Sequence, residues 1–303
     1  MSVTTKVLVT GASGFLGGYL LEKLKAEKFS VIPTDIDITS PEIIYLDVTD
    51  FERTRNFFKT HRPDIIIHLA ARCGSKGKGG GAESFKDPFD FFRVNILGTL
   101  NVYEACRLNN IEKVIYMSSF SPYGVVNEAI NENSLLNPST PYGYSKWCGE
   151  LVAKCYAMNF GIRTIIFRAP LICGKGQKEL NALREFVLCV KESKPIVIFG
   201  EGKHTREWLH PTDVAVAFVD AIRYFRKMSS PFEAFVLGST PISMLDLANL
   251  IVRNIGKGRI EFKSDGKNVF SQYTNTAKAR TILGWQAKTT IEDIVKEVIV
   301  DIA

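Results

Sequence analysis

The sequence lacks several features that would place a protein in a specialised class. Its apolar runs are much shorter than the roughly 20 residues that span a membrane. The cysteines, at 73, 106, 148, 155, 173 and 189, are scattered and form no C-x-x-C pair. These absences argue against a membrane helix, a disulfide framework and a metal site, and favour free thiols in a reducing compartment. We therefore expect a cytoplasmic protein without a bound metal.

Long basic runs are also absent, although the formal net charge of the 303 residues is +6. Such a charge suits small anionic ligands such as phosphates better than nucleic acid, for which we expect no role. The first predicted strand begins almost at the N-terminus, so we expect no signal peptide. A hydrophobic fraction of 46% is sufficient for one large domain or two unequal ones.

A glycine-rich turn separates the first predicted strand from the first predicted helix. The residues T-G-A-S-G-F-L-G at 10–17 follow the apolar run Lys6–Val9. Gly11 allows a tight turn, Gly14 lets the backbone approach a pyrophosphate, and Gly17 lets the helix pack on the sheet. The helix N-terminus offers free N–H groups to phosphates. A turn that binds nothing is the alternative for the glycines alone, but the strand–turn–helix context favours a dinucleotide site.

An acidic residue stands at the tip of the second predicted strand. This residue, Asp35, directly follows the strand predicted at 30–34. A carboxylate there accepts hydrogen bonds from both ribose hydroxyls of an adenosine and repels a 2′-phosphate. The position therefore favours NAD over NADP, with a solvated loop aspartate as the alternative.

Strands and helices alternate regularly through the first part of the chain. The apolar run D-I-I-I-H-L at 64–69 is typical of a strand buried on both faces of a parallel sheet. The alternation predicts an α/β fold with a doubly wound parallel sheet of the Rossmann type over 1–170. We expect a smaller C-terminal α/β substrate domain at 171–303, with 209–238 folding back onto the first. His68, inside a buried strand, is expected to be a core histidine.

Two segments after the fourth strand have unusual patterns. The helix predicted at 89–108 is apolar on nearly all sides, so a surface other than the sheet must cover it, which predicts a homodimer. Asn95 interrupts this helix and is expected to be a buried polar group that needs hydrogen bonds. The glycine-rich stretch 72–82 is predicted to be a mobile loop, in which Lys76 and Lys78 either meet phosphate or remain solvated.

Three residues suggest chemistry on an alcohol. Tyr142 and Lys146 lie four apart on a predicted helix and share one face, and Ser119 ends the preceding strand. A lysine ammonium about 4 Å from the phenol stabilises a phenolate by about 4 kcal/mol at an effective dielectric of 20, which is about three pKa units. Tyr142 would then act near neutrality as the general base for the alcohol proton, while Ser119 holds the same oxygen and hydride leaves to a nicotinamide. The alternative is a chance pairing on a helix surface.

Together these residues resemble the extended short-chain dehydrogenase/reductases, most closely the NAD-dependent sugar-nucleotide epimerase/dehydratase group of the UDP-glucose 4-epimerase type. The resemblance covers nearly the whole chain. Besides the glycine turn and Asp35, it rests on Asp47-Val48, H-L-A-A at 68–71, N-I-L-G-T-L-N at 95–101, S-S-F-S-P-Y-G at 118–124, P-Y-G-Y-S-K at 141–146, R-E-W-L-H-P-T-D at 206–213 and L-G-W at 283–285.

The resemblance implies a set of binding residues. The cofactor NAD would be held by Gly11, Gly14, Phe15, Leu16, Gly17, Asp35, Asp47, Val48, Leu69, Ala70, Ala71, Tyr142, Lys146 and Pro170. Within this set, Asp47 and Val48 would flank the adenine, and Lys146 would also hold the nicotinamide ribose. Ser119, Ser121 and Arg206 would contact the substrate, with Arg206 on a phosphate. Family members pair through two helices, in agreement with the homodimer expected above.

Three positions depart from the family pattern. The 4,6-dehydratases carry acidic residues directly after the catalytic Ser or Thr, where this chain has Phe120 and Ser121. An asparagine that usually touches the nucleotide sugar is Leu171 here. The arginine expected near the C-terminus is Asp265, with Lys267 two residues further on. The first departure argues against dehydration, and the other two leave the nucleotide open.

We therefore expect an enzyme that epimerises a nucleotide-linked sugar at C4. Tyr142 would take the hydroxyl proton and NAD the hydride, which would return to the other face of the keto-sugar. One alternative is an NAD-dependent dehydrogenase or ketoreductase, acting on a nucleotide sugar or another alcohol, which would consume NAD. Another is a non-catalytic NAD-binding protein, but this would not need all of Ser119, Tyr142 and Lys146.

Overall fold

The central element of the fold is a seven-stranded parallel sheet. The computed structural model describes residues 4–73, 83–126, 128–264 and 271–302. The sheet contains β1 (Lys6–Thr10), β2 (Ser30–Asp35), β3 (Ile44–Tyr45), β4 (Ile65–His68), β5 (Lys113–Met117), β6 (Arg163–Arg168) and β11 (Phe232–Val236). Their order is β11-β6-β5-β4-β1-β2-β3, and every pair is parallel. The strand order reverses beside β1, which confirms the predicted doubly wound sheet.

Helices cover both faces of this sheet. The α-helices are α1 (Phe15–Ala26), α2 (Phe51–His61), α3 (Pro88–Phe92), α4 (Gly98–Leu108), α5 (Pro141–Phe160), α6 (Ala182–Lys191), α7 (Pro211–Tyr224), α8 (Met244–Ile255) and α9 (Ile291–Asp301). On one face, Leu20 of α1 and Phe218 of α7 are buried in a common core. On the other, Phe58, Val102 and Ala153 of α2, α4 and α5 share a second core with the sheet. Both faces of the sheet are therefore covered and shielded from water, as the apolar strands require.

The helical segment after β4 is interrupted by a wider turn. Between α3 and α4 the chain forms a π-helical turn, Arg93–Leu97, so the prediction of one regular helix over 89–108 is wrong at these residues. The turn presents Asn95 to two other segments. Its Nδ2 donates to Ser145 Oγ at 2.8 Å and to Arg72 O at 3.1 Å, and its Oδ1 accepts from the Arg72 N–H at 2.7 Å. The prediction of a buried, hydrogen-bonded Asn95 is confirmed.

The second half of the chain forms a further core from short elements. The strands β7 (Leu171–Ile172), β8 (Ile196–Phe199), β9 (Thr205–Arg206), β10 (Trp208–Leu209), β12 (Ile242–Ser243) and β13 (Ile260–Lys263) pair as β7–β10, β8–β13 and β9–β12. Helices α6, α8 and α9 pack with β8 through Val187, Leu247, Val295 and Ile198. Trp285 instead joins the large core, and its indole N–H donates to Asp213 O at 2.8 Å.

Several predictions concern features outside this framework. Lys76 and Lys78 of the predicted loop, and Asp265 and Lys267 near the C-terminus, lie outside the described residues. All six cysteines lie within them and are free thiols. Across the ranges that are described, no helix is long and apolar enough to cross a membrane, and no three His, Cys, Asp or Glu side chains are grouped to hold a metal ion.

Candidate functional site

The predicted site residues converge on the carboxyl edge of the sheet. Parallel strands all end at this edge, where ligands bind in doubly wound folds. Gly11 follows β1, Asp35 ends β2, Leu69 follows β4, Ser119 lies just beyond β5, and Pro170 lies just beyond β6. The remaining predicted cofactor residues near this edge are Phe15 and Leu16, which begin α1, and Ala71, which follows β4.

The glycine turn leaves no room for side chains at two positions. Gly11 has a φ of +73°, and a Cβ there would lie 2.6 Å from Ala70 N. A Cβ on Gly17 would lie 2.4 Å from Ala12 O. Gly14 is exposed and is the N-cap of α1, without a side-chain cap. The first-turn N–H groups are therefore open to an anion, and the turn fits a dinucleotide pyrophosphate.

Asp35 is held against the glycine turn. Its Oδ2 accepts from the Ser13 N–H at 3.0 Å, and its Oδ1 accepts from the Ile36 and Asp37 N–H groups at 2.7 and 3.2 Å. The carboxylate thus lies between the end of β2 and the start of α1, where a ribose beside the pyrophosphate would meet it. The ribose contact itself stays a prediction.

The Asp47-Val48 pair is positioned by the helix that carries the N-I-L-G-T-L-N motif. Asn101 Nδ2 donates to Val48 O at 2.9 Å and to Thr49 O at 3.0 Å. A Cβ on Gly98 would lie 2.9 Å from Val48 Cγ2, so close packing requires glycine at this position. Asp47 Oδ1 accepts from both the backbone N–H and the hydroxyl of Thr49 at 2.8 Å. The motif therefore has a structural reason that the sequence did not reveal.

Ser119 and Tyr142 meet at the end of β5. Thr140 caps α5 by accepting from the Gly143 N–H at 3.0 Å, so the helix presents Tyr142 within its first turn. The Ser119 hydroxyl lies close enough to the Tyr142 phenol to lower its pKa, and a Cβ on the adjacent Gly143 would lie 2.7 Å from Ser121 O. Ser119 Oγ also accepts from the Ser121 N–H at 3.1 Å and donates to Ser121 Oγ at 3.2 Å. Ser121 thus orients the Ser119 hydroxyl. The predicted contact between Ser121 and the substrate stays a prediction.

The acidity of Tyr142 differs from the expectation. Burial raises the pKa of Tyr142 well above its usual value, Cys73, Tyr116 and Glu179 raise it further, and Ser119 lowers it. The Lys146 ammonium lies over the Tyr116 ring, 4.3 Å from its centroid. The predicted lysine-driven lowering to near neutrality is therefore wrong for the groups of the protein itself, because desolvation of the phenolate dominates.

His68 is a core histidine, as predicted. Its Nδ1 is hydrogen-bonded to Thr10 Oγ1 at 2.8 Å and its Nε2 to Thr99 Oγ1 at 3.1 Å. Burial, together with the nearby Lys146 charge, lowers the pKa of His68 to about 3. The ring is therefore neutral at physiological pH and links β1, β4 and α4.

A buried ion pair behind Ser119 was missed from the sequence. The Arg168 guanidinium donates to Glu150 Oε2 at 2.7 Å, and the Ser118 hydroxyl donates to Glu150 Oε1. Arg168 also donates to the Tyr123 hydroxyl at 2.8 Å. These bonds fix the chain on both sides of Ser119. No local spacing reveals this pair, because Glu150 and Arg168 lie on different elements, α5 and β6.

Three further side chains near Tyr142 were also missed. Cys73 is exposed at the surface, yet enough protein surrounds its thiol that burial raises its pKa, while the Lys146 charge and the nearby Tyr142 phenol lower it. Arg72 pairs with Asp90, with Nε and Oδ2 3.3 Å apart. Glu179, from the segment before α6, interacts electrostatically with Arg72, Cys73 and Tyr142. These loop positions follow no periodic pattern, so their proximity cannot be predicted from neighbouring residues.

Arg206 lies on the short strand β9, away from the large sheet. Its backbone pairs with Ile242 of β12, and its Nη1 donates to Thr205 O at 2.9 Å. Burial lowers the pKa of Arg206, but not enough to remove its charge at neutral pH. The contact with a substrate phosphate stays a prediction.

Comparison with known proteins identifies the family. The model of the NAD dependent epimerase/dehydratase family matches residues 7–238. A putative UDP-glucose 4-epimerase of Methanocaldococcus jannaschii is 28% identical, over 97% of each chain. A dTDP-D-glucose 4,6-dehydratase of Dictyostelium discoideum is 31% identical, over 70% of this chain and 54% of the relative.

A solved structure supports the fold independently. The crystal structure of UDP-glucose 4-epimerase from Brucella ovis in complex with NAD aligns over 98% of both chains with a TM-score of 0.87, at 23% identity. This identity is low enough that the likeness shows the fold alone. Because the family model spans most of the sequence, the chain belongs to the NAD-dependent epimerase/dehydratase family and is an NAD-dependent enzyme of the short-chain dehydrogenase/reductase type.

Proposed function

We propose that the enzyme interconverts the C4 epimers of a nucleotide-linked sugar. The observation that carries this proposal is the proximity of the Ser119 and Tyr142 hydroxyl groups at the carboxyl edge, with Lys146 buried one helical turn further along α5. The pair presents two hydroxyl groups to one substrate oxygen. It lies at the end of β5, two strands from the reversal beside β1, on the edge that a dinucleotide on the glycine turn would follow.

The residues at this edge fit NAD. The open N-terminus of α1 would hold the pyrophosphate, Asp35 the adenosine ribose, Asp47 and Val48 the adenine, and Lys146 the nicotinamide ribose. When bound, NAD accepts a hydride and returns it, and in its oxidised form it brings a positive charge to the site. That charge would oppose the burial that disfavours the Tyr142 phenolate.

The protein groups then handle the proton and the position of the sugar. Ser119 donates a hydrogen bond to the C4 oxygen, and Tyr142 takes the C4 hydroxyl proton during oxidation. The raised pKa makes the Tyr142 phenolate a strong base for the C4 hydroxyl proton. The proton returns when hydride adds back to the C4 carbonyl, because the alkoxide that forms there is a stronger base than the phenolate. The resulting cycle has no net change in oxidation state.

The residues after Ser119 favour epimerisation over dehydration, although a 4,6-dehydratase is among the relatives. Loss of water across C5 and C6 requires a base at C5 and an acid for the departing hydroxyl. Phe120 is buried in a cluster with Tyr123 and Ile130, and the Ser121 hydroxyl is bound to Ser119. Neither residue can exchange a proton near neutral pH.

Retention of the cofactor tests this proposal. The purified enzyme is incubated with UDP-glucose while NADH absorbance and total bound NAD(H) are measured by spectroscopy and mass spectrometry. We expect UDP-galactose to form without net NADH and with the bound cofactor retained over many turnovers. Formation of one NADH for each molecule of UDP-glucose consumed would instead identify the alternative, a dehydrogenase or ketoreductase that consumes NAD. Retained NAD without any turnover would favour a non-catalytic binding protein.

We also propose a homodimer through α5 and the helical segment 88–108. Two sets of large apolar side chains are exposed there: Phe89, Phe92, Leu97, Leu100 and Leu108 on the first segment, and Leu151, Met158 and Phe160 on α5. Such a contiguous surface is typical of an interface. Leu151→Glu should shift the sedimentation coefficient to that of a monomer. The control Leu135→Glu, at a residue 80% exposed outside these helices, should not.

A further inference from the structure

The Lys146 side chain is buried without a hydrogen-bond acceptor from the protein. The residue is 3% exposed. Within the ranges that the structure describes, no oxygen accepts a hydrogen bond from its Nζ, and no carboxylate forms an ion pair with it. A buried charge is costly unless a neighbouring group stabilises it. The group that the ammonium does contact therefore has a strong influence on where it lies.

That group is the aromatic face of Tyr116 on β5. Lys146 Nζ lies 4.3 Å from the ring centroid, well inside the roughly 6 Å over which a cation is attracted to an aromatic ring. The attraction is electrostatic, because the face of the ring carries partial negative charge, and it is strongest where water is excluded. Tyr116 is 1% exposed, so the contact lies in such a place.

Two neighbours fix the Tyr116 ring beneath the ammonium. His68, its register partner on β4, stacks beside it, with ring centroids 5.5 Å apart and planes inclined by 26°. The His68 ring is itself held by hydrogen bonds from both of its nitrogen atoms. On the side of α5, Gly149 leaves space for the phenol, because a Cβ there would lie 2.4 Å from Tyr116 Oη. The ring is therefore a fixed surface against which Lys146 can rest.

The hydroxyl group of Tyr116 takes no part in this arrangement. Its Oη is buried and has no hydrogen-bond partner among the described residues. A buried hydroxyl without a partner contributes nothing that phenylalanine would lack. The aromatic face, and not the polar end of the side chain, is the part of Tyr116 that acts on Lys146.

We propose that Tyr116 is a positioning residue whose aromatic face holds the Lys146 ammonium in place to bind the nicotinamide ribose of NAD. The inference rests on the role that the proposed function gives to Lys146. Lys146 lies one helical turn after Tyr142 on α5. By fixing the ammonium, the Tyr116 ring would help to set where the nicotinamide lies relative to the phenol that moves the proton.

Fluorination of the ring at position 116 tests the proposal with little change in shape. Fluorine withdraws electron density from the face of a ring, so each added atom weakens the attraction for a cation. The Kd for NAD is measured by calorimetry for Tyr116→Phe and for enzymes with mono-, tri- and pentafluorophenylalanine at this position. We expect Tyr116→Phe to bind NAD within about twofold of the wild type, and the pentafluorinated enzyme to bind it about five- to tenfold more weakly.

Two controls separate this role from packing in the core. Pentafluorophenylalanine in place of Phe58, which is buried in the same core on α2, should leave the affinity for NAD unchanged. Lys146→Met removes the cation while keeping a long side chain. In this background, fluorination at position 116 should no longer change the Kd for NAD, because the ring then has no charge to hold.

Three results would overturn the inference: one Kd for NAD across the fluorinated series, equal losses from fluorination at Phe58 and at position 116, or a dependence on fluorination that persists in Lys146→Met. Turnover of UDP-glucose by the wild-type enzyme is measured separately. If the Kd follows fluorination but no UDP-galactose forms, the proposed epimerase activity fails and the role of Tyr116 stands. If UDP-galactose forms but the Kd ignores fluorination, the inference alone fails.

Discussion

The two sides of the proposed cleft are fixed in different ways. On the cofactor side, comprising residues 10–17, 35 and 47–48, backbone atoms set the geometry. Gly11 and Gly17 have no space for a Cβ, and Asp35 is held by the backbone N–H of Ser13. On the substrate side, comprising residues 171–181 and 204–206, short strands and loops carry the functional groups. Side-chain bonds such as Asn181 to Gln177 hold them.

This difference separates what the family shares from what an individual enzyme can change. Backbone constraints allow few substitutions without disturbing the fold, so the cofactor side is tied to one cofactor chemistry. Side chains on loops can be replaced at small cost to stability. The substrate side can therefore differ between relatives that act on different sugars, as Leu171 illustrates here.

The largest expected effect concerns the residue that both sides share. Tyr142→Phe removes the group that accepts and returns the proton, and general acid–base catalysis typically contributes 10²–10⁴-fold. We expect kcat to fall by at least about 100-fold while the Kd for NAD changes little. Steady-state kinetics and calorimetry measure the two quantities. A variant within threefold of the wild-type kcat would show that another residue moves the proton.

Substrate binding should depend on Arg206. Charge-assisted hydrogen bonds to phosphate are worth about 1.5–3 kcal/mol each, so Arg206→Ala should raise KM for UDP-glucose by about 10- to 100-fold. NAD affinity should be unchanged. Arg253→Ala, at an exposed position on α8, is the matched control and should alter neither value. An unaffected KM in Arg206→Ala would favour a substrate without a nucleotide.

Two adjacent glycines test the backbone constraint on the cofactor side. In Gly17→Ala the new Cβ would lie 2.4 Å from Ala12 O, whereas in Gly18→Ala it would meet nothing within 4 Å. We expect Gly17→Ala to lower the free energy of unfolding by about 1–3 kcal/mol and to weaken NAD binding. Gly18→Ala should raise stability by up to about 1 kcal/mol, because alanine is the better helix former. Urea unfolding measures the stability of both variants. Equal changes in the free energy of unfolding would contradict the proposed backbone constraint at Gly17.

The smallest expected effect concerns the choice of cofactor. The Asp35 carboxylate should repel a 2′-phosphate, so NAD should bind at least about tenfold more tightly than NADP, or about 1.4 kcal/mol. Asp35→Ala should reduce the difference in affinity between NAD and NADP, chiefly by weakening the binding of NAD. Calorimetric titration with both cofactors measures the ratio. Equal affinities in the wild-type enzyme would remove the assigned role of Asp35.

The sequence was most informative where function follows a local pattern. The glycine turn, the buried strand with His68, and the spacing of Tyr142 and Lys146 are all readable from neighbouring residues, and the structure brings them to one edge. Asn95 was also recognised, because a polar residue on an all-apolar helix must find partners.

The missed features depend on contacts between distant segments. The raised pKa of Tyr142 reflects burial by the whole fold, and helical spacing to Lys146 cannot report it. Cys73 and Glu179 are more than a hundred residues apart in the chain, yet both act on Tyr142. The π turn at Arg93–Leu97 differs from an α-helix only in its hydrogen bonding, so apolar periodicity does not detect it.

The mass of the product tests the central claim most directly. Purified enzyme is incubated with UDP-, GDP- and dTDP-hexoses, and the product masses are recorded. Because Phe120 and Ser121 supply no acid or base, the account predicts a product with the same mass as the substrate and a changed configuration at C4. A loss of about 18 mass units would show dehydration and contradict the account. Glu179, and then Glu83, would be the first residues to examine as the source of the missing proton transfer.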